Sequence, residues 1–140
     1  MIDRFNKDVA NTRFPEFFAP WIQDLGLQVE AVGADGVTMR MPYSSDLCRV
    51  GSIVCGQALM SLADTCMVYV FIAAMGEYRE MATASQNTNF FRPVIGSDVL
   101  AHGHTLKVGK TLLIGEVILF ADNQPDQAVA QATSTYALIG

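Results

Sequence analysis

The sequence predicts an α+β domain in which an antiparallel sheet packs against one long buried helix, and three observations carry this prediction. The only long helical segment, from Gly56 to about Met75, is apolar on nearly every side and ends at Gly76, so it must be buried all round. Three long strand-like segments follow, at 98–108, 111–121 and 128–139, with turn signals between them, which indicates an antiparallel meander. Residues 111–121 are apolar on both faces, which favours a sheet covered on both sides.

The remainder of the chain supplies shorter elements. A helix is predicted from Phe14 to Leu25, with Pro15 at its first position and Gly26 just past its end. The residues before it, 1–13, are predicted to form a loose polar lead. The other predicted elements are strands at 27–32, 37–41 and 83–91, the first two joined by an Asp-Gly hairpin, and a loop at 42–54. With no repeat or linker, residues 1–140 are predicted to form one domain.

Composition indicates self-association. The chain has 140 residues, 51% hydrophobic and 16% charged, and this charged share is well below the roughly 25% of an average domain. A small domain with so little charge commonly buries further apolar surface between subunits. We therefore expect a homodimer or homotetramer, in which the second apolar face of the strand at 111–121 meets a partner subunit.

Charge and cysteine usage exclude several classes of protein. A net charge of −5 argues against a nucleic-acid-binding protein, which needs a basic face. The longest apolar run, 66–75, is too short to span a bilayer, and the polar N-terminus does not resemble a signal peptide. The three cysteines lack metal-type spacing. We expect a cytoplasmic protein without a membrane segment or a bound metal.

Asp64 is the residue of the long helix that most requires an explanation. It lies beyond the first helical turn, where the helix dipole no longer stabilises a carboxylate, and no cation is present three or four residues away. A buried carboxylate without partners is costly, so it usually pairs, becomes neutral or takes part in chemistry. Two interpretations stay open. Asp64 has a structural role, either paired with a distant arginine or on a narrow hydrated face of the helix with Gln57 and Ser61. Alternatively, it is a functional carboxylate.

The start of the same helix is a second candidate. Gly56 leaves its backbone N–H without side-chain cover, and such groups bind anions and stabilise a developing oxyanion. Gly56 and Asp64 are eight residues apart, which is roughly 12 Å at 1.5 Å per residue. They cannot hold one small reacting group within a single chain, whereas a dimer could bring them together. Alternatively, Gly56 is a close-packing or turn glycine.

Four segments in a consistent order resemble one known family. Residues 55–64, Cys-Gly-Gln-Ala-Leu-Met-Ser-Leu-Ala-Asp, resemble the His-Gly-Gly…Leu-Ala-Asp segment of hotdog-fold acyl-CoA thioesterases of the phenylacetate-pathway (PaaI) type, in the 4-hydroxybenzoyl-CoA thioesterase superfamily. Residues 89–93 are similar to the Asn-[aromatic]-Leu-Arg-Pro segment, and 107–110 and 130–136 to the later turn and final strand. The resemblance implies the hotdog fold, a curved antiparallel sheet wrapped around one long central helix.

The resemblance also implies hydrolysis of an acyl-CoA thioester to a free acid and CoA. Asp64 would be the general base or the nucleophile, the Gly56 N–H would polarise the thioester carbonyl from the adjacent subunit, and Thr83 would match the hydroxyl that positions water. Positions implied to contact the substrate and its coenzyme A are Arg49, Cys55, Gln57, Asn89, Arg92, Gly109 and Lys110. Apart from the coenzyme A of the substrate, no cofactor is expected.

Three positions depart from the family pattern. Cys55 replaces the family histidine, Gln57 replaces the second glycine, and Arg49 aligns with a loop position that often carries Asn or Gln. Arg49 could replace the lost hydrogen-bond donors, or it could pair with Asp64 and quench it. These departures leave open a non-catalytic protein that binds acyl-CoA or scaffolds an assembly.

Two other chemistries compete with thioester hydrolysis as interpretations of this sequence. Cys55 at a helix start could be a low-pKa nucleophile, but no histidine is near it in sequence to act as its base. A hotdog dehydratase would pair a histidine with the helix carboxylate, and the start of the helix has none. His102 and His104 share one strand face, but without an evident third ligand a zinc site is not expected.

Overall fold

The computed structural model describes residues 4–139, in which a curved antiparallel sheet wraps around one long helix. The helices are α1 (Lys7–Phe17), α2 (Pro20–Gln23) and α3 (Gly56–Met75). The strands are β1 (Gln28–Gly33), β2 (Gly36–Met41), β3 (Cys48–Arg49), β4 (Ile53–Val54), β5 (Met81–Phe90), β6 (Val99–Val108), β7 (Leu112–Ala121) and β8 (Ala128–Leu138). This is the hotdog arrangement, which confirms the predicted fold.

The main sheet has six strands in the order β1-β2-β6-β7-β8-β5, and every neighbouring pair is antiparallel. The predicted meander over the last three strands is confirmed, since β6 pairs with β7 and β7 with β8. Strand β5 precedes them in sequence but pairs with β8, the last strand. As a result β1 and β5 are the two edges of the sheet.

The central helix α3 spans the residues that the sequence predicted. Eleven of its twenty residues are buried, which explains its apolar composition on several sides. Gly76 ends it at φ 78° and donates its N–H to the Ile72 carbonyl, a left-handed conformation that glycine adopts without strain. By length and hydropathy alone α3 could cross a membrane, but 61% of its most apolar window is buried inside this fold.

Two glycines of the sheet set how closely α3 approaches it. A Cβ atom on Gly103 of β6 would lie 2.7 Å from Cγ2 of Val70 and 3.0 Å from Cγ2 of Val117. A Cβ on Gly115 of β7 would lie 2.4 Å from Sδ of Met67. Larger side chains would hold the helix away from the strands, so these glycines allow direct contact between the helix and the sheet backbone.

The N-terminal helices differ from the sequence prediction. The prediction that residues 1–13 form an irregular polar segment is wrong from Lys7 onwards, because α1 begins there with Asn6 as its N-cap. Residues 1–3 lie outside the described residues. Pro15 is inside α1 rather than at the first position of a helix, where its missing N–H shortens the hydrogen-bonded ladder. The predicted single helix at 14–25 is therefore two, and Pro20 begins the second.

Helix α1 is held against the central helix and the β1 edge by polar and aromatic contacts. The Asn11 side chain accepts from the Val29 N–H at 2.8 Å and donates to the Val29 carbonyl at 3.0 Å. The buried Tyr69 hydroxyl of α3 donates to the Ala10 carbonyl at 2.6 Å, and burial raises the pKa of this tyrosine. The rings of Phe17 and Phe18 lie 6.1 and 5.4 Å from that of Tyr69.

The segment predicted as a loop at 42–54 contains short regular structure. A single 3₁₀ turn covers Ser45–Leu47, and β3 and β4 form a small hairpin in which Cys48 faces Val54 and Arg49 faces Ile53. Gly51 and Ser52 close this hairpin with positive φ angles. The hairpin leads directly into α3, so it fixes Arg49 near the beginning of the central helix.

Replacing Gly103 by alanine tests the close contact between helix and sheet. We expect Gly103→Ala to lower the free energy of unfolding by about 1–3 kcal/mol, because the added methyl group overpacks the core against Val70 and Val117. Urea denaturation at fixed protein concentration measures the change. Gly33→Ala is the control: its Cβ would meet only the mobile end of the Asp35 side chain, so a loss below about 0.5 kcal/mol is expected. Equal losses in both variants would contradict the packing argument.

The reactivity of Cys66 tests its place in the core. Its thiol is buried and donates to the Val37 carbonyl, and burial raises the pKa of this thiol to about 12. The thiolate is the reactive form, so at pH 8 we expect Cys66 to stay unmodified by a thiol-reactive dye until the protein is unfolded. Cys66→Ala should leave the number of reactive thiols in the folded protein unchanged and lower the number in the unfolded protein by one. A lower folded count in this variant would show that Cys66 is accessible.

Candidate active site

Asp64 faces the edge strand β5 and its neighbour β8. Its Oδ1 accepts a hydrogen bond from Oγ1 of Thr83 at 3.0 Å and another from the hydroxyl of Tyr136. Among residues 4–139 the ion pairs found all involve other side chains, so the sequence alternative of a distant arginine partner for Asp64 does not hold within one chain. The carboxylate is thus hydrogen-bonded to neutral donors and is only half-buried.

Tyr136 is the residue of this cluster that sequence reasoning missed. Its side chain is 1% exposed, and its ring lies 5.2 Å from that of Phe71. Burial, reinforced by the charge of Asp64, raises the pKa of Tyr136, so its hydroxyl is a hydrogen-bond donor at every physiological pH. Inward-facing residues alternate along β8, and a tyrosine among them needs a polar partner for its hydroxyl. The alternation along β8 was therefore the sequence signal that could have indicated a polar partner for Tyr136.

A cavity of about 660 Å³ opens beside Asp64. Its apolar wall comes from both N-terminal helices, from α3 and from the beginning of β5: Phe17, Phe18, Trp21, Ile22, Met60, Val68 and Met81. Asp64 and Tyr136 are the ionisable groups among the residues that line it. Met67 and Phe71 of the same helix are fully buried in the core and do not line this cavity. The cavity is therefore apolar with one carboxylate at its side.

The first turn of α3 offers free hydrogen-bond donors. Cys55 is the N-cap and provides no side-chain cap, while its carbonyl accepts from the N–H groups of Ala58 and Leu59. No acceptor for the N–H groups of Gly56 and Gln57 is found among the described residues. A Cβ on Gly56 would lie 3.4 Å from Cζ of Phe90, so this donor lies at the end of β5 opposite to Thr83.

A second, smaller cavity surrounds this donor. It measures about 370 Å³ and is lined by Gly56, Arg49 and Arg92 together with apolar residues of β4 and of the chain after β5. Arg92 also donates to the Ala128 carbonyl. Six of the predicted site residues therefore fall into two groups within one chain. Asp64, Thr83 and Gln57 line the first cavity, and Gly56 and the two arginines line the second.

The remaining predicted substrate contacts lie elsewhere. Asn89 donates to Asn87 and to Gln131 on the sheet face away from α3. Gly109 and Lys110 form the turn between β6 and β7, beside the C-terminal end of β8, whereas Arg92 contacts the first residue of β8. Ten residues of strand separate these two ends, roughly 33 Å, so within one chain the residues predicted to contact coenzyme A are not brought together.

The two histidines are occupied by structural contacts. His102 is hydrogen-bonded to Thr38 at 2.8 Å and to the Asp35 carbonyl at 3.0 Å. His104 lies 3.5 Å from Glu116 on the outer face of the sheet. Neither contacts Cys55 in the described chain, so a cysteine nucleophile has no histidine to activate it. No group of three metal-ligating side chains occurs in residues 4–139.

Solved structures with this fold come from several bacteria. A candidate thioesterase from Silicibacter sp. TM1040 is 29% identical, with a TM-score of 0.86 over 97% of this chain and 93% of that one. The PaaI protein of the E. coli phenylacetic acid degradation operon is 19% identical, with a TM-score of 0.79 over 96% and 94% of the two chains. The thioesterase HI1161 of Haemophilus influenzae is 17% identical, with a TM-score of 0.85 over 99% and 93%. The last two show the fold alone.

Sequence comparisons agree with the fold. Ta0293 of Thermoplasma acidophilum, described as a candidate esterase, is 24% identical over 116 residues, which are 83% of this chain and 86% of that protein. The family model described as the thioesterase superfamily matches residues 51–128, the stretch that contains α3, Asp64 and Thr83. Because this match covers more than half of the chain, the protein belongs to the thioesterase superfamily, a family of thioester hydrolases.

Proposed function

We propose that the protein hydrolyses acyl-CoA thioesters at two sites of a symmetric dimer, each built from Asp64 of one subunit and the Gly56 N–H of the other. The observation that supports this is the division of the candidate site. A carboxylate without a cationic partner lines one apolar cavity, and the unpartnered Gly56 N–H lines another, eight residues away on the same helix. Each cavity contains what the other lacks for hydrolysis of a carbonyl compound.

The exposed edge of β5 supports the dimer. This strand is ten residues long, carries neither charge nor proline, and pairs on one side only, with β8. Charged residues and proline are the usual protection of a sheet edge against pairing with another chain. An edge of this length without either favours addition of a second strand, which would extend the sheet of one subunit into that of the other.

The position of α3 along β5 supports a symmetric arrangement of the sites. Asp64 contacts Thr83, the Met60 carbonyl accepts from Gln86, and Gly56 packs against Phe90, so the helix runs antiparallel to the strand. If two β5 strands paired antiparallel about an axis between positions 86 and 87, Thr83 of each would face Phe90 of the other. Gly56 of each subunit would then approach Asp64 of its partner.

The same pairing would also unite the positive charges. Arg49 and Arg92 lie at the Phe90 end of one subunit, and the Gly109-Lys110 turn lies at the Met81 end. An antiparallel dimer exchanges these ends, so the arginines of one subunit would approach Lys110 of the other. Guanidinium and ammonium groups are the preferred partners of phosphates, and coenzyme A carries three phosphate groups that need them.

The chemistry follows from these groups. The Gly56 N–H of the partner subunit would stabilise negative charge on the thioester oxygen as the carbonyl carbon is attacked. Asp64 would act in one of two ways: it accepts a proton from the attacking water, or it attacks first and forms an anhydride that water then opens. Thr83 would position the water. In either case the C–S bond breaks, the thiolate of CoA gains a proton, and a free acid is released.

The lining of the first cavity supports an apolar acyl group. Three aromatic side chains, Phe17, Phe18 and Trp21, form one wall, and no cation is among the lining residues. An acyl chain that ends in a second carboxylate would meet only Asp64 and neutral groups, and the two negative charges would repel each other. An aromatic or medium-length aliphatic acyl group fits this lining, and the flexible Met60 and Met81 suit several shapes.

We further propose a cytoplasmic tetramer. The three cysteines are free thiols, which is the usual state in a reducing compartment. On the outer face of β7, Ile114, Ile118 and Phe120 remain partly exposed. Association of two dimers through this face would cover apolar surface that a single dimer leaves in contact with water.

Substitution of the carboxylate tests hydrolysis against the rival function, binding of acyl-CoA without turnover. Asp64→Asn should lower the rate of thiol release from aromatic or medium-chain acyl-CoA at least about 100-fold, since it removes the base or nucleophile. Folding and oligomer size should not change. Asp126→Asn, an exposed carboxylate in the turn before β8, is the control and should keep full activity. If the wild-type protein binds coenzyme A but hydrolyses no acyl-CoA, the rival function, binding without turnover, is established instead.

Mixing two inactive variants tests whether the site is shared between subunits. Gly56→Pro removes only the N–H donor, because proline suits the first helical position and the φ −70° and ψ 153° of Cys55 suit a residue before proline. We expect Gly56→Pro to reduce kcat about 10²–10³-fold. Subunit exchange with Asp64→Asn should then restore about a quarter of wild-type activity, since each hybrid dimer has one intact site.

Gly56→Ala is the matched control for this mixture. It retains the N–H, and its methyl group would make an ordinary contact with Phe90, so it should keep most of the activity. Absence of recovery in mixtures that have been shown to form hybrids would contradict the shared site and would place both groups in one subunit.

A further inference from the structure

We propose that Tyr136 is a positioning residue of this site, whose hydroxyl, together with that of Thr83, holds Oδ1 of Asp64 so that Oδ2 faces the cavity as a free carboxylate oxygen. The inference rests on the proposed function, because it assigns Asp64 the catalytic role. It concerns which oxygen of the carboxylate reacts.

Both donors converge on one oxygen atom. Oδ1 accepts from Thr83 and from Tyr136, while no described residue hydrogen-bonds to Oδ2. Two hydrogen bonds to the same oxygen fix the rotation of the carboxylate about its Cβ–Cγ bond. The second oxygen is then the one available to water or to a thioester in the adjoining cavity.

Tyr136 is the rigid member of the pair of donors. It lies on β8, which is paired on both sides, by β7 and by β5, and its ring packs against Phe71. Thr83, in contrast, lies on an edge strand next to a register shift between Thr83 and Ser85. The hydroxyl of Tyr136 is also 2.9 Å from the backbone carbonyl of Asp64, which places it beside both the backbone and the side chain of the residue that it positions.

The surroundings leave these hydroxyls as the groups that stabilise the negative charge. From α3, Ser61 and Thr65 line the cavity, and from β5, Gln86 does so; all are uncharged. The wall formed by the N-terminal helices is apolar. Cys66, beside Tyr136, has its thiol pKa raised to about 12 by burial and is neutral. Thr83 and Tyr136 are therefore the described groups that satisfy the Asp64 carboxylate.

Removal of the hydroxyl alone tests the proposal. Tyr136→Phe keeps the ring packing, and kcat should fall about tenfold because the carboxylate is no longer held in one orientation, with KM changed less than about twofold because the substrate cavity is intact. Tyr69→Phe is the matched control. It also removes a buried tyrosine hydroxyl, one that donates to the Ala10 carbonyl, and its kcat and KM should match those of the wild type. Equal kcat values for all three proteins would overturn the proposal.

Two further measurements separate this proposal from folding and from the proposed function. Site-specific 3-fluorotyrosine at position 136 retains the ring and the hydroxyl, so its kcat should stay within about twofold of the wild-type value. A crystal structure of Tyr136→Phe should show the Asp64 carboxylate rotated from its wild-type orientation, and an unchanged orientation would contradict the positioning role. This last result is independent of activity. A wild type that hydrolyses no acyl-CoA would refute the proposed function, while the structure still decides the role of Tyr136.

Discussion

The direct contact between α3 and the backbone of the sheet determines where the other candidate groups lie. Because Gly103 and Gly115 carry no side chain, the helix packs directly on β6 and β7, and an added Cβ at either glycine would meet side chains of α3. Held in this way, α3 presents the Asp64 side chain to β5 and β8 and directs its N-terminus to the other end of β5. Helix geometry thus fixes the distance between the carboxylate and the free donors, and core packing fixes which end of β5 each of them faces.

The protein accommodates its helix carboxylate with hydroxyl groups instead of a cation. A buried ion pair would satisfy the charge, but it would also hold the carboxylate oxygens and make their protonation unfavourable. Two neutral donors on one oxygen stabilise the charge more weakly and leave the second oxygen exposed to the cavity. The wall contributed by the N-terminal helices is apolar, so among the described residues the two hydroxyls are the partners of this carboxylate.

The sequence predicted the features that depend on local pattern. The bounds of α3, its end at Gly76 and the final meander were correct because an apolar helix, a left-handed glycine and alternating strands leave local signals. The N-terminal helices were misplaced because Pro15 was read as the start of a helix, whereas the Asn6 cap and the contacts of α1 with Val29 and Tyr69 favour the earlier helix. Tyr136 was missed because its partner is 72 residues away. Pairing of this kind depends on sheet order, which no local pattern encodes.

The order of the strands also has a consequence for synthesis of the chain. Strand β5 leaves the ribosome before β6, β7 and β8, yet its partner in the sheet is β8. Until β8 has emerged, a ten-residue segment without charge or proline has both edges open, and such segments associate readily with other nascent chains. Long-range pairing of this kind also slows folding. The growing chain therefore exposes an unprotected strand for as long as β6, β7 and β8 are still being made.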